Sequence, residues 1–206
     1  MKPAHRIFSV ITLAVLAAPS LAASTTYTTS SAFLPHVASG YYTETFSAFG
    51  DPVPQPPQGA VGFSGGSFAY TVAAPSDLYG TGEFLGTNQV DEALTITFTS
   101  GNVHAVGANF YATNISNVFQ AVSLTLTLSD GTTTTFTPTS TFDSYRGFVS
   151  DLAITSLVVS APGQSLYAGI DNLTVGGAVT SVPEPSTWAL FGLGVTGLLV
   201  TRRRAI

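Results

Sequence analysis

Val122-Ser123-Leu124-Thr125-Leu126-Thr127-Leu128-Ser129-Asp130-Gly131-Thr132-Thr133-Thr134-Thr135-Phe136-Thr137 is the stretch that decides the fold. Val122, Leu124, Leu126 and Leu128 alternate with Ser123, Thr125, Thr127 and Ser129, the period of two that a half-buried strand uses. Asp130-Gly131 is the two-residue hairpin signal, so 132–137 returns as the antiparallel partner. Pro138 then ends it, because proline cannot donate to a ladder.

The same alternation recurs upstream, with Leu94, Ile96 and Phe98 on one side and Thr95, Thr97 and Thr99 on the other. Further strands fit 41–48, 66–72, 103–111, 146–149, 154–160 and 165–175. Nothing between residues 40 and 176 sustains a 3.6-residue period with helix caps. Eight or nine short antiparallel strands, broken by Gly, Pro, Asn and Asp, predict an all-β domain over 41–176, built as a two-sheet β-sandwich. Residues 51–57, with four prolines, read as an exposed polyproline-like loop, and 75–88 as a second long loop. Residues 23–40 are Thr/Ser-rich and weakly periodic, a lead-in with an entry strand at best, and 177–181 form a linker.

Two strands depart from simple alternation. Glu44 shares a face with Tyr42 and Phe46, which puts a carboxylate on the side that reads as buried. In 165–175 the apolar phase runs Leu166, Ala168, Ile170 and then shifts to Leu173 and Val175, so a bulge is expected near Asp171-Asn172.

Charge is distributed unevenly. The chain has 206 residues, six of them Lys or Arg and eleven Asp or Glu, for a net charge of −5. Lys2, Arg6, Arg202, Arg203 and Arg204 lie at the two ends, leaving Arg146 alone in the body. Ten of the eleven acidic residues lie in the body and the eleventh, Glu184, in the C-terminal segment beyond the linker, so the body carries −9. A domain with one base is a poor phosphate binder, which excludes nucleic acid as a partner. The absence of cysteine rules out disulfides, thiolate metal sites and a cysteine nucleophile together.

Both ends read as addresses. Lys2 and Arg6 precede an apolar stretch, 7–18, that Pro19-Ser20 breaks, and Ser20-Leu21-Ala22 supplies small residues for signal peptidase. A signal helix within 1–22, cut after Ala22 to leave Ala23 first, is the expectation. At the other end Val182-Pro183-Glu184-Pro185-Ser186-Thr187 stays extended, since each proline fixes φ and removes a donor. An uncharged segment, 188–201, and the tail Arg202-Arg203-Arg204 follow. A helix over those 14 residues reaches only about 21 Å at ~1.5 Å per residue, against the roughly 30 Å hydrocarbon core. The arginines mark the cytoplasmic side, so the body lies outside.

This tripartite end resembles the PEP-CTERM sorting signal of Gram-negative bacteria, over residues 182–206. The resemblance implies recognition by the membrane protease/transpeptidase exosortase, cleavage near Pro183 to Pro185, transient anchoring in the inner membrane, and delivery to the cell surface or an exopolysaccharide matrix.

Residues 102–175 resemble the jelly-roll domains of PEP-CTERM surface proteins, on the Asp130-Gly131 turn, the segment Arg146-Gly147-Phe148-Val149-Ser150 and the final strand with Ile170-Asp171-Asn172. Some jelly-roll carbohydrate-binding modules hold a structural calcium between an acidic residue of the first strand and an Asp of the last. Carried over, the ligands are Glu44 and Asp171 with Asn172, oxygen donors of the kind Ca²⁺ takes. Glu44 paired with Arg146 or set at a strand edge, and Asp171-Asn172 as a plain bulge, are the alternatives.

No catalytic residues are assigned. His36 and His104, the body histidines, lie in no nucleophile or metal motif. Asp91-Glu92 reads as two solvated charges at a strand start, since neighbours on a strand face opposite ways. Tyr41, Tyr42, Tyr79, Tyr111, Tyr145 and Tyr167 offer stacking surfaces for sugar rings, with Tyr79 best placed for exposure. The expectation is a secreted, non-enzymatic structural or interaction protein without a required cofactor. A carbohydrate-binding module of the exopolysaccharide matrix with structural calcium is the alternative, and an unrecognised hydrolase the third reading.

Overall fold

The structure, a computed structural model, describes residues 24–49 and 59–179. The signal peptide with Ala22 and Ala23, the loop 51–57, the sorting motif Val182 to Pro185, the apolar segment 188–201 and Arg202 to Arg204 all lie outside these residues. Within them the elements are β1 (Thr25–Tyr27), helix α1 (Ser30–Phe33) running into a 3-10 turn (Leu34–His36), β2 (Tyr42–Glu44), β3 (Val61–Gly65), β4 (Phe68–Ala73), β5 (Leu78–Gly80), β6 (Leu85–Thr87), β7 (Leu94–Phe98), β8 (Ala105–Thr113), β9 (Phe119–Gln120), β10 (Leu124–Leu128), β11 (Thr133–Phe136), β12 (Tyr145–Val149), β13 (Ser156–Ser160) and β14 (Tyr167–Gly176).

The strands form two antiparallel sheets. The smaller has the order β11-β10-β13-β7-β4-β3; the larger has β1-β12-β8-β14-β6-β5, with β2 on β14 and β9 on β8. From β7 to β14 the chain passes repeatedly between the sheets, and the expected β-sandwich is what forms. Between the sheets lie the inward residues of each alternating strand: Leu94, Ile96 and Phe98 from β7, Leu124, Leu126 and Leu128 from β10, and Val106, Ala108, Phe110 and Ala112 from β8.

The opening hairpin forms as read, with Leu126 opposite Thr134, but its loop is longer than expected. Leu128 N–H donates to Thr132 O, and Gly131, at φ 87°, closes the turn on Leu128 O, giving a three-residue loop of Ser129-Asp130-Gly131. Asp130 carries a second load. Its carboxylate accepts from Thr132 N at 2.8 Å and Ser24 Oγ at 2.7 Å, tying the start of the described chain to the hairpin. Burial pushes the Asp130 carboxyl up, but the hydrogen bonds from Ser24 and Thr132 outweigh it and hold the group below its ordinary value.

Four expectations are corrected. The strand expected over 41–48 ends at Glu44, because Phe46 takes φ 55°. The loop expected over 75–88 contains the hairpin β5–β6, which extends the larger sheet. A further strand, β3, precedes the one expected at 66–72 and pairs with it, Val61 opposite Val72. The lead-in 23–40 supplies a short helix as well as an entry strand. Thr29 Oγ1 caps that helix by accepting from Ala32 N.

α1 lies on the outer face of the larger sheet and makes a second core there. Phe33, fully buried, packs with Val37, Ala105 and Tyr145. The sheet makes room with glycine: a Cβ on Gly147 would come within 2.5 Å of the Phe33 ring, and one on Gly176 within 2.4 Å of Val37 Cγ1. The lead-in is thus part of the fold.

Candidate functional site

The bulge in β14 builds the site. Asp171 pairs with Asn109 and Thr174 with Gly107, so β14 spends one extra residue there, and Asn172 takes φ 53°. Ile170 and Leu173 therefore both reach the core, while Asp171 and Asn172 fall in succession on the outer face of the larger sheet. The phase slip in the sequence predicted this bulge. On the neighbouring strand Ala108, Phe110 and Ala112 face inward, which leaves Asn109, Tyr111 and Thr113 outward in a row about 3.4 Å per residue apart along the strand.

These two rows floor an open groove of about 590 Å³, walled by Thr45, Glu83, Thr141 and Phe142. That volume lies in the range of roughly 300–1,000 Å³ found for ligand sites. A smaller depression of about 270 Å³ continues it past Asn109 and Asn172 toward Leu34 and Tyr41. Phe142 is 94% exposed, a whole aromatic ring presented to solvent at the rim. Tyr111 is buried up to its edge, and its hydroxyl is pushed well above the ordinary tyrosine value by burial and then by the carboxylates of Asp171 and Glu83.

The groove is rich in acceptors. Asp171 Oδ1 and Oδ2 accept from Asn172 N at 2.7 Å and Asn172 Nδ2 at 2.6 Å, which fixes the carboxylate and leaves Asn172 Oδ1 without a hydrogen-bond partner among the described residues. Asn109 donates through Nδ2 to Thr141 O and Ser144 Oγ, so its amide oxygen is likewise uncommitted. Burial, reinforced by the charge of Glu83 and opposed by the Asn172 amide, raises the Asp171 carboxyl above its ordinary value. No Lys, Arg or His lines the groove among the described residues. A partner here must donate hydrogen bonds and offer an apolar patch to Phe142 and Tyr111.

Glu44 and Asp171 are not brought together. Glu44 is registered opposite Leu173, whose side chain is in the core, whereas Asp171 pairs with Asn109 on the outer face. They occupy opposite faces of one sheet. The Glu44 carboxylate is engaged by the Tyr42 hydroxyl and by Phe46 N at 2.8 Å. That contact pushes the Tyr42 hydroxyl up to about 12, with burial and the Glu44 charge adding to it. Among the described residues no group of three His, Asp or Glu side chains converges on a metal-sized site. Arg146 is elsewhere: it donates to the carbonyls of Asp143 and Tyr145 and lies 3.8 Å over the Phe136 ring.

Glu44 therefore holds Phe46 in its left-handed conformation. Removing the carboxylate leaves a buried amide without its acceptor, which costs about 1–3 kcal/mol. Glu44→Ala is expected to lower Tm by the same amount in calcium and in chelator. A drop seen only in calcium contradicts this role.

The remaining candidates are placed as follows. Asp91 Oδ1 accepts from Gln164 N and Ser165 N, and Glu92 from Ser76 N and Oγ, so both carboxylates anchor loops rather than simply facing solvent. His36 stacks on Tyr27 at 4.8 Å, and His104 Nδ1 lies 3.3 Å from Ser150 O. Of the tyrosines, Tyr111 and Tyr41 border the groove system, Tyr79 and Tyr167 share a separate pocket, and Tyr42 points toward Glu44. Phe142 and Asn109 were missed in the sequence. Phe142 lies in the Ser/Thr-rich loop after β11, where an isolated aromatic was the available signal.

No curated protein matches the chain. The family model described as the PEP-CTERM protein-sorting motif matches residues 181–204. That motif implies processing by exosortase and export toward the cell surface, in agreement with Val182-Pro183-Glu184-Pro185 and the arginine tail. The chain thus carries a PEP-CTERM protein-sorting motif behind a β-sandwich body.

Proposed function

We propose that the body is a non-enzymatic interaction domain, freed from its C-terminal signal near Pro183 to Pro185, that binds neutral hydroxylated polymer of the extracellular matrix along the outer face of its larger sheet. The observation that carries this reading is the groove over β8 and β14, where uncommitted acceptors of Asn109, Asn172 and Glu83 flank the aromatic edges of Tyr111 and Phe142. Sugar hydroxyls donate to such acceptors while the C–H faces of the ring pack on aromatic carbon. The lack of a basic lining residue disfavours anionic polymer.

Retention of the secreted protein on the neutral extracellular polysaccharide of the producing cells tests the proposal. Phe142 is exposed and outside both cores, so Phe142→Ala leaves the fold alone and is expected to weaken retention about tenfold, the equivalent of ~1.4 kcal/mol. Asp171→Asn is expected to weaken it further. Wild-type retention in both variants overturns the groove. Polymer recovered at its original length fits a binding role, whereas shortened polymer contradicts the non-enzymatic reading.

A further inference from the structure

Beyond the groove, β8 and β14 continue to a second concavity. Phe84 divides the two: its ring lies against Gly169, where a Cβ would sit 3.3 Å from Phe84 Cδ2, and meets Tyr111 edge to face at 5.6 Å. On the far side a pocket of about 140 Å³ is lined by Tyr79, Phe84, Thr87, Asn88, Asn114 and Tyr167 among its nine residues. None of the nine is charged, in a body whose net charge is −9. The pocket is too small for a drug-sized molecule, whose sites begin near ~300 Å³, and fits one ring.

Its polar groups are held but not exhausted. Asn114 Oδ1 accepts from Ser116 N and Val118 N, which fixes the loop to β9 and leaves the Asn114 amide hydrogens unassigned. Asn117, at φ 58°, donates to the Tyr79 hydroxyl at 3.1 Å and so orients it, leaving the Tyr79 proton without an acceptor among the described residues. Thr87 is 1% exposed and its hydroxyl has no hydrogen-bond partner among the described residues, a state that costs a folded protein free energy unless something else fills it. Asn88 and Tyr167 complete the polar lining.

We infer that this pocket binds a single neutral sugar ring, a terminal or branch residue of a glycan, between the aromatic side chains of Tyr79 and Tyr167 and the amides of Asn88 and Asn114. The inference extends the reading of the outer face as sugar-binding but stands on residues outside the groove. Aromatic faces take the ring carbons, uncharged amides serve the hydroxyls, and the absence of charge selects against uronic or amino sugars.

The test is titration of the secreted, processed protein with the methyl glycosides of glucose, galactose, mannose and N-acetylglucosamine, read by ligand-observed NMR. At least one is expected to bind saturably in the millimolar range. Tyr167→Ala is expected to weaken it at least tenfold, and Asn88→Ala, an exposed position that leaves the fold alone, several-fold. No saturable binding by any of the four, or wild-type binding in both variants, overturns the pocket. Phe142→Ala separates the two sites. Glycoside binding at the wild-type level with polymer retention lost assigns pocket and groove separately, whereas loss of both overturns the pocket as a site of its own.

Discussion

Phe33→Ala is expected to destabilise the domain by about 3–5 kcal/mol, the cost of emptying a fully buried phenylalanine site. For a domain of this size that corresponds to roughly 6–20 °C in Tm. The reason lies on the outer face of the larger sheet, away from the inter-sheet core. Phe33 rests on Gly147, whose hypothetical Cβ would lie 2.5 Å from Phe33 Cδ2, and beside Gly107, where a Cβ would lie 3.1 Å from Phe33 Cε1. Two strands give up their side chains so that one ring can reach the sheet. Gly147→Ala should therefore be destabilising by ~1–3 kcal/mol through overpacking. In the Phe33→Ala background only the residue 33 Cβ, 3.0 Å away, still crowds the new methyl, so Gly147→Ala should cost much less there than in wild type. Thermal melts of the four proteins read this coupling directly. A Tm within about 2 °C of wild type for Phe33→Ala would show that the lead-in merely lies on the surface.

This second core explains what was hard to read in the sequence. The inter-sheet core was legible because Leu94 to Phe98 and Leu124 to Leu128 alternate with threonine over full strand lengths, and buried side chains follow the period of two. The outer core has no period. Its residues are one helical turn, Phe33 and Val37 four apart, set against glycines on three different strands. Outward glycine at 107, 147 and 176, where polar side chains would be ordinary, was the signal available. β5 and β6 escaped for another reason: at three residues each they are too short to display alternation, and they are held by pairing with each other and β14. The site was half legible. The apolar phase slip located Asp171 and Asn172 on a bulge, but their partners on the face, Asn109, Glu83 and Phe142, come from separate loops and strands that tertiary packing brings together. Glu44 was correctly read as facing inward, and its partners, Tyr42 and Phe46, are two residues away on either side.

Replacing Pro183, Glu184 and Pro185 together with alanine is expected to give the largest effect in the cell. The motif matches over residues 181–204, and the 14 uncharged residues 188–201 would reach only about 21 Å even if wholly helical, against a roughly 30 Å hydrocarbon core. Such a segment suits temporary rather than permanent anchoring. With the motif gone the protein should stay in the inner membrane with its arginine tail, and the fraction at the cell surface should fall at least tenfold. The body should fold unchanged, since the described sandwich closes its own ladders without residues 182–206. Near-infrared or antibody imaging of intact cells, beside membrane fractionation, measures both pools. Surface levels equal to wild type would show that another route delivers the domain.

We propose that the β-sandwich is delivered to the cell surface by a C-terminal signal that is then removed. Intact-mass measurement of the protein released from the surface, in cells with and without exosortase, tests this most directly. A chain beginning at Ala23 and ending near Pro183 to Pro185 is expected in wild-type cells, and a chain retaining Arg202 to Arg204 in cells lacking exosortase. A wild-type surface protein that still carries Arg202-Arg203-Arg204 would contradict it.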